Sequence, residues 1–135
     1  MRVDFYILND ATPQQRFACR LLNKIYHQSE KVSVLCTQDE IRSFDDLLWQ
    51  FEDISFIPHD LAENHNEQSP ITLATSLTQI SDRKLLLNLT AETISEGYER
   101  VIEIVPNDET QRQASRQKYK QYQAIKADIH IHQLY

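Results

Sequence analysis

Four side chains late in the chain have the types and spacing to bind an anionic group: Arg112, Arg116, Tyr119 and Gln123. At a helical 100° per residue they fall within an arc of about 60°. Two guanidiniums and an aromatic ring therefore share one face. From Thr110 to Ala127 there are five Lys/Arg (Arg112, Arg116, Lys118, Lys120, Lys126) and no Asp or Glu, whereas the other nine Lys/Arg stand against all twenty Asp/Glu. Such a local reversal of sign suggests a docking face for something anionic. The opposite side of the helix carries Ala114, Tyr122 and Ile125, an apolar stripe for packing on a sheet, with Lys118 among them expected to snorkel. A charge run is ordinarily a solvated helix face. Such faces usually mix signs to gain i,i+4 pairs of about 0.2–0.5 kcal/mol each, and this segment contains no acidic partner.

A helix of that kind needs a sheet to lie on, and the preceding sequence supplies one. Residues 4–8 (DFYIL) read as a short strand, followed by Thr12 as N-cap and Pro13 in the first turn of a helix. Phe17, Ala18, Leu21, Leu22 and Ile25 set that helix to about His27. KVSVLC (31–36) is a second strand, and Thr37 is the expected cap of a helix with apolar positions Ile41, Phe44, Leu47, Leu48 and Phe51. SFIPHDL (55–61) reads as a short strand stopped by Pro58, and AENHNEQS (62–69) as a flexible surface loop. PITLAT (70–75), KLLLNL (84–89) and YERVIEIVP (98–106) are further strands. The basic helix then starts near Asp108, and DIHIHQL (128–134) alternates as an edge strand. The expectation is one domain over residues 1–135, a three-layer α/β/α Rossmann-like fold with a mostly parallel or mixed sheet.

Composition narrows the function. With 41% hydrophobic and 25% charged residues the chain reads as a soluble globular domain, in size enough for a real core. No apolar run approaches the roughly 20 residues that span a bilayer, and MRVDFYILND lacks the apolar core of a signal peptide. A cytoplasmic protein without membrane contact is expected. Cys19 and Cys36 each sit in an apolar pattern and read as buried free thiols. Gly97 is the single glycine, so neither GxGxxG nor GxxxxGK[ST] can occur. An α/β chain without those loops is a poor candidate for a nucleotide-dependent enzyme, and no cofactor is expected.

Other chemistry-bearing residues form no catalytic set. His130 and His132 share one side of the last strand, a spacing compatible with two metal ligands, but no third ligand is near and no metal is expected. His59 follows Pro58 without any nucleophile motif such as GxSxG and reads as structural. Asn88-Leu89-Thr90 matches a glycosylation acceptor but falls in a buried strand. Asp45, Asp46, Glu52 and Asp53 show no pairing beyond ordinary surface charge.

In order, the segments DFYIL, RFACRLLNKIY, KVSVLC, DDLLWQFEDISFIPH, LLLNL, YERVIEIVPNDE and RQASRQKYKQY closely resemble the chi subunit of bacterial DNA polymerase III holoenzyme, over essentially the whole chain. The most specific blocks are LLWQF…SFIPH (47–59) and ERVIEIVPNDE…RQ…R…YK.Y (99–122). The resemblance implies a non-catalytic adaptor, Rossmann-like but without a nucleotide site. Chi subunits join the psi subunit, which connects to the clamp loader, and bind the acidic C-terminal tail of single-stranded DNA-binding protein, SSB. That tail ends in an apolar residue, typically Phe, bearing the free carboxylate. Arg112 and Arg116 match the family's basic tail-binding positions, and Tyr119, with Val105 at the end of the preceding strand, matches the pocket for the terminal ring. Gln123 stands where relatives often carry another basic residue. Trp49 and Phe56 match the aromatics used for the psi partner, their alternative being core packing, and residues of this type also contact a helicase in some relatives.

Two other function classes remain to be weighed. A direct nucleic-acid binder would use the same helix on phosphates, but a net charge of −6 and so few clustered cations disfavour it, leaving DNA contact through SSB. A small α/β enzyme would need a cleft of perturbed carboxylates or histidines. An adaptor for a different acidic-tailed partner, or for a helicase in repair, uses the same surfaces.

Overall fold

Runs such as VSVL, ITLA and LLLN have no polar-out alternation, and a strand buried on both faces belongs in the middle of a parallel sheet. The computed structural model, which describes residues 1–51, 58–62, 69–79, 84–95 and 97–134, places them there. The elements are β1 (Arg2–Leu8), α1 (Gln14–His27), β2 (Val32–Leu35), α2 (Ile41–Gln50), β3 (His59–Leu61), β4 (Ile71–Ala74), a 3-10 turn (Leu77–Gln79), β5 (Leu85–Asn88), β6 (Arg100–Val105), α3 (Glu109–Ala124) and β7 (Asp128–Leu134). The strands form one sheet in the order β3-β4-β2-β5-β6-β1-β7, and every pairing is parallel. β7 is an edge strand, as its alternation implied.

Successive residues of each strand feed two cores. On one face Val34, Leu73, Leu87 and Ile102 pack under α1 and α2 with Leu22 and Phe44. On the other, Phe5, Leu86, Val101 and Val105 pack with Tyr122 of α3. This is the expected three-layer α/β/α Rossmann-like architecture. Cys19 and Cys36 are buried free thiols, and loss of hydration pushes both up to about 12.

Several local expectations are corrected. α1 is capped by Pro13 without a side-chain bond, while Thr12 N donates instead to Asp10 Oδ1. α2 begins at Ile41, capped by Glu40; Thr37 contributes only its carbonyl, which accepts from Glu40 N and Ile41 N. β3 starts immediately after Pro58, the position at which a residue without N–H costs a ladder least, so the described strand follows the proline. Of the segments 55–61 and 62–69, residues 55–57 and 63–68 lie outside the described residues. The sheet-facing stripe of α3 is also not the apolar one. Ala114 and Ile125 are exposed, and the buried residues are Lys118 and Tyr122.

Candidate functional site

α3 starts cleanly because Asp108, its N-cap, accepts from Gln111 N at 3.0 Å. It lies over β6 and β1, so among the described residues no helix covers the same face of edge strand β7. Ile131 of β7 is consequently 47% exposed. The gap is a groove of about 350 Å³ whose floor is Phe5, Ile7, Val105 and Ile131 and whose α3 wall is Arg112, Arg116 and Tyr119. Asn9 and Gln133, at the ends of β1 and β7, close one side. The groove thus opens beside the carboxyl ends of parallel strands, where doubly wound sheets ordinarily receive ligands.

All four groove residues proposed from the sequence, Val105, Arg112, Arg116 and Tyr119, meet here. Tyr119 tilts over Phe5, ring centroids 6.0 Å apart, and Phe5 meets Tyr122 edge-on at 5.9 Å. Arg112 Nη2 donates to Leu8 O at 3.3 Å; its buried Nε has no hydrogen-bond partner among the described residues. Arg116 is more open, 60% exposed, with Nη1 3.1 Å from Glu109 Oε1. Across Arg116 and Tyr119 from the groove runs a broad shelf formed with Gln113, Gln117, Lys120 and Gln123. Two guanidiniums thus stand beside an apolar slot large enough for one aromatic ring.

The acid-free stretch read from the sequence is not free of acidic partners in space. Glu109, one residue before it, pairs with Arg116, and Glu103 of β6 pairs with Lys118 at 2.8 Å. Lys118 does not snorkel but is buried, donating also to Thr90 O. Glu103 Oε2 accepts from Tyr122 Oη at 2.7 Å and from Asn88 Nδ2 at 2.9 Å. Burial pushes the Glu103 carboxyl above the usual carboxylate range, against the pull of Lys118, Tyr122 and Asn88. The signal for this partner was a lone glutamate inside the apolar run VIEIV.

The floor residues Phe5, Ile7 and Ile131 were not read as site residues. Ile131 had a signal, since alternation puts Ile129, Ile131 and Gln133 on one face of DIHIHQL. The histidines of that strand face the other way. His132 stacks on Tyr6 at 4.6 Å, with Nε2 2.8 Å from Asp4 Oδ1, and His130 lies 3.1 Å from Asp128. Asp4 is fully buried and also takes Arg2 at 3.0 Å and Arg100 at 2.7 Å, joining β1, β6 and β7. Burial alone would raise its carboxyl, but His132, Arg100 and Arg2 outweigh that and hold it below its ordinary value. Among the described residues no three His, Cys, Asp or Glu converge to hold a metal ion.

Trp49 is not core. It is 51% exposed on α2, its ring 4.0 Å from that of buried His59, whose Nε2 lies 3.3 Å from Asp45 Oδ1. This patch is on the face and edge of the sheet opposite to the groove. Phe56, read as its companion, lies outside the described residues.

Fold and groove define a Rossmann-like α/β domain that lacks a glycine-rich phosphate loop and presents a cationic, apolar-floored groove at its strand ends. The model of the family described as DNA polymerase III chi subunit, HolC, matches residues 1–130, and the chain belongs to that family. It is 37% identical to the DNA polymerase III subunit chi of Pseudomonas aeruginosa, over 98% of this chain and 96% of that protein. The subunits of the same name from Haemophilus influenzae and Escherichia coli are 31% and 27% identical, each over 87% of this chain and over 86% and 88% of their own lengths. Among the described residues no helix is long and apolar enough to cross a membrane.

Proposed function

We propose that this chain is a non-catalytic, cytoplasmic adaptor of the DNA polymerase III holoenzyme, joining the psi subunit of the clamp-loader assembly to the acidic C-terminal tail of SSB. The observation that carries this reading is the convergence of Arg112, Arg116, Tyr119 and Val105 on one slot floored by Phe5 and Ile131. In the proposed complex the terminal ring of the tail fills the slot and its carboxylates pair with the two guanidiniums, whose forks suit carboxylates better than an ammonium does. Charge-assisted hydrogen bonds contribute about 1.5–3 kcal/mol each, and a micromolar complex needs only about 8 kcal/mol. Binding is therefore expected to be reversible and weakened by salt.

The placement of Trp49 favours an adaptor over a single-partner module. An exposed tryptophan is a favoured interface anchor, and psi docked there would leave the groove clear. A helicase would compete with psi, not with SSB. The test is fluorescence anisotropy of a labelled SSB-tail peptide beside a control lacking the last aromatic residue. Micromolar binding that salt weakens and the truncation abolishes is the expected result. No binding of the intact peptide would remove the tail reading and leave Trp49 as the surface to pursue.

A further inference from the structure

α3 has an unusual footing. Of its described residues only Lys118 and Tyr122 are buried, so the helix that builds the groove wall rests on one aromatic ring and one ammonium. Apolar stripes alone tolerate small slides, because dispersion contacts have no direction. Glu103 supplies direction. Its Oε1 takes Lys118 Nζ, its Oε2 takes Tyr122 Oη and Asn88 Nδ2, and Tyr122 Oη in turn accepts from Ile94 N at 3.2 Å. Lys118 reaches Thr90 O as well. β5, the segment after it, β6 and α3 are thus tied at one point.

The tie sits next to the groove on both elements. Glu103 and Val105 are two residues apart on the same face of β6, and Lys118 and Tyr122 flank Tyr119 along α3. A shift of α3 by one turn moves it about 5.4 Å, far more than the tolerance of hydrogen bonds that fail beyond about 3.5 Å. Every such displacement leaves a buried carboxylate and a buried ammonium without partners, which is costly.

We propose that Glu103, Lys118, Tyr122 and Asn88 are positioning residues that hold α3 in the one register at which Arg116 and Tyr119 stand over Phe5 and Val105. The inference rests on the tail-binding reading for its functional consequence, but the register itself has a separate readout. The Phe5–Tyr119 ring contact at 6.0 Å is short enough for a ring-to-ring cross-peak in a nuclear Overhauser spectrum.

Two variants test it. Glu103→Leu with Lys118→Met removes both charges together, a replacement that commonly leaves stability unchanged or raised; Tyr122→Phe keeps the ring and deletes only the hydroxyl. Because Tyr122 Oη and Asn88 Nδ2 lose their acceptor in the double variant, it is expected to melt cooperatively with a somewhat lowered midpoint, to lose the Phe5–Tyr119 cross-peak and to show at least a fivefold fall in affinity for the SSB-tail peptide. Tyr122→Phe is expected to fold and to lose about threefold. Glu103→Gln keeps one acceptor oxygen, enough for Lys118, but its amide nitrogen cannot accept from Tyr122 Oη or Asn88 Nδ2, so a fall in affinity of about threefold, like that of Tyr122→Phe, is expected. An intact cross-peak with unchanged affinity, in either the double variant or Tyr122→Phe, overturns the proposal; should the double variant not fold, Tyr122→Phe decides. If the unmodified protein fails to bind the peptide, the tail reading has failed and the register claim is decided by the cross-peak alone.

Discussion

Arg116 Nη1 lies 3.1 Å from Glu109 Oε1, seven residues back along the same helix, so a carboxylate of the protein already occupies one donor of the groove's most open guanidinium. Both side chains are largely solvated, and exposed pairs of this kind contribute little. The pair is nonetheless a local competitor for any incoming carboxylate. Replacing Glu109 by Gln is expected to tighten SSB-tail binding about twofold at low salt, with the gain fading as ionic strength rises. Anisotropy titrations at two salt concentrations check this; weaker binding in the variant would mean that Glu109 orients Arg116 instead of competing for it.

Arg116→Ala should weaken tail binding at least tenfold while moving the thermal midpoint little, because the side chain is 60% exposed and supports no packing. Peptide titration and thermal unfolding of the same preparation separate the two effects. A large loss of stability with unchanged affinity would assign the residue to the fold.

Trp49→Ala is expected to impair association with psi and to leave tail affinity unchanged, since the ring is half exposed on the face opposite the groove. Pull-down with psi and peptide anisotropy are the two measurements. Loss of both would reveal a packing role through His59, which the ring covers.

Acid stability should depend on Asp4. Its folded value lies below the ordinary one, so the ionised form contributes stability that is present above pH about 4 and is lost as pH falls through the folded value. Asp4→Asn is expected to lower the midpoint at neutral pH by about 4–8 °C and to flatten its decline in acid. Melting curves from pH 7 to pH 3 test both parts.

Neither thiol should react in the native protein. With Cys19 and Cys36 buried and pushed up to about 12, an aromatic disulfide reagent at pH 8 is expected to label them only after denaturant is added. Prompt labelling of one thiol would mean that its helix or strand opens readily.

The wall of the groove was readable because Arg112, Arg116 and Tyr119 belong to one helix, and helical periodicity is a local property of sequence. Val105 came instead from its place at the end of the strand before the helix, once the resemblance implied a terminal ring to be housed. The floor was not readable: Phe5 and Ile131 are adjacent only through the β1–β7 register, and no local pattern states which strands become neighbours. The same holds for Lys118. On a helical wheel it was a cation misplaced in an apolar stripe; its explanation, Glu103, arrives from another strand. Strand positions came through well where both faces are buried, as at β2, β4 and β5, and least well around Pro58, where a residue that ends one strand can equally precede another.

The pairing of β1 has a consequence for the order of events during synthesis. Arg2 sits beside Arg100 on one side and Asp128 on the other, so β1, once made, finds no neighbour until roughly a hundred further residues have followed. Loops of that size close slowly, and an apolar strand kept waiting is a target for chaperones and for self-association. Because Ile131 and Gln133 of β7 line the groove, the groove is complete only once this strand has joined the sheet, so its assembly is as non-local as that of the sheet edge itself.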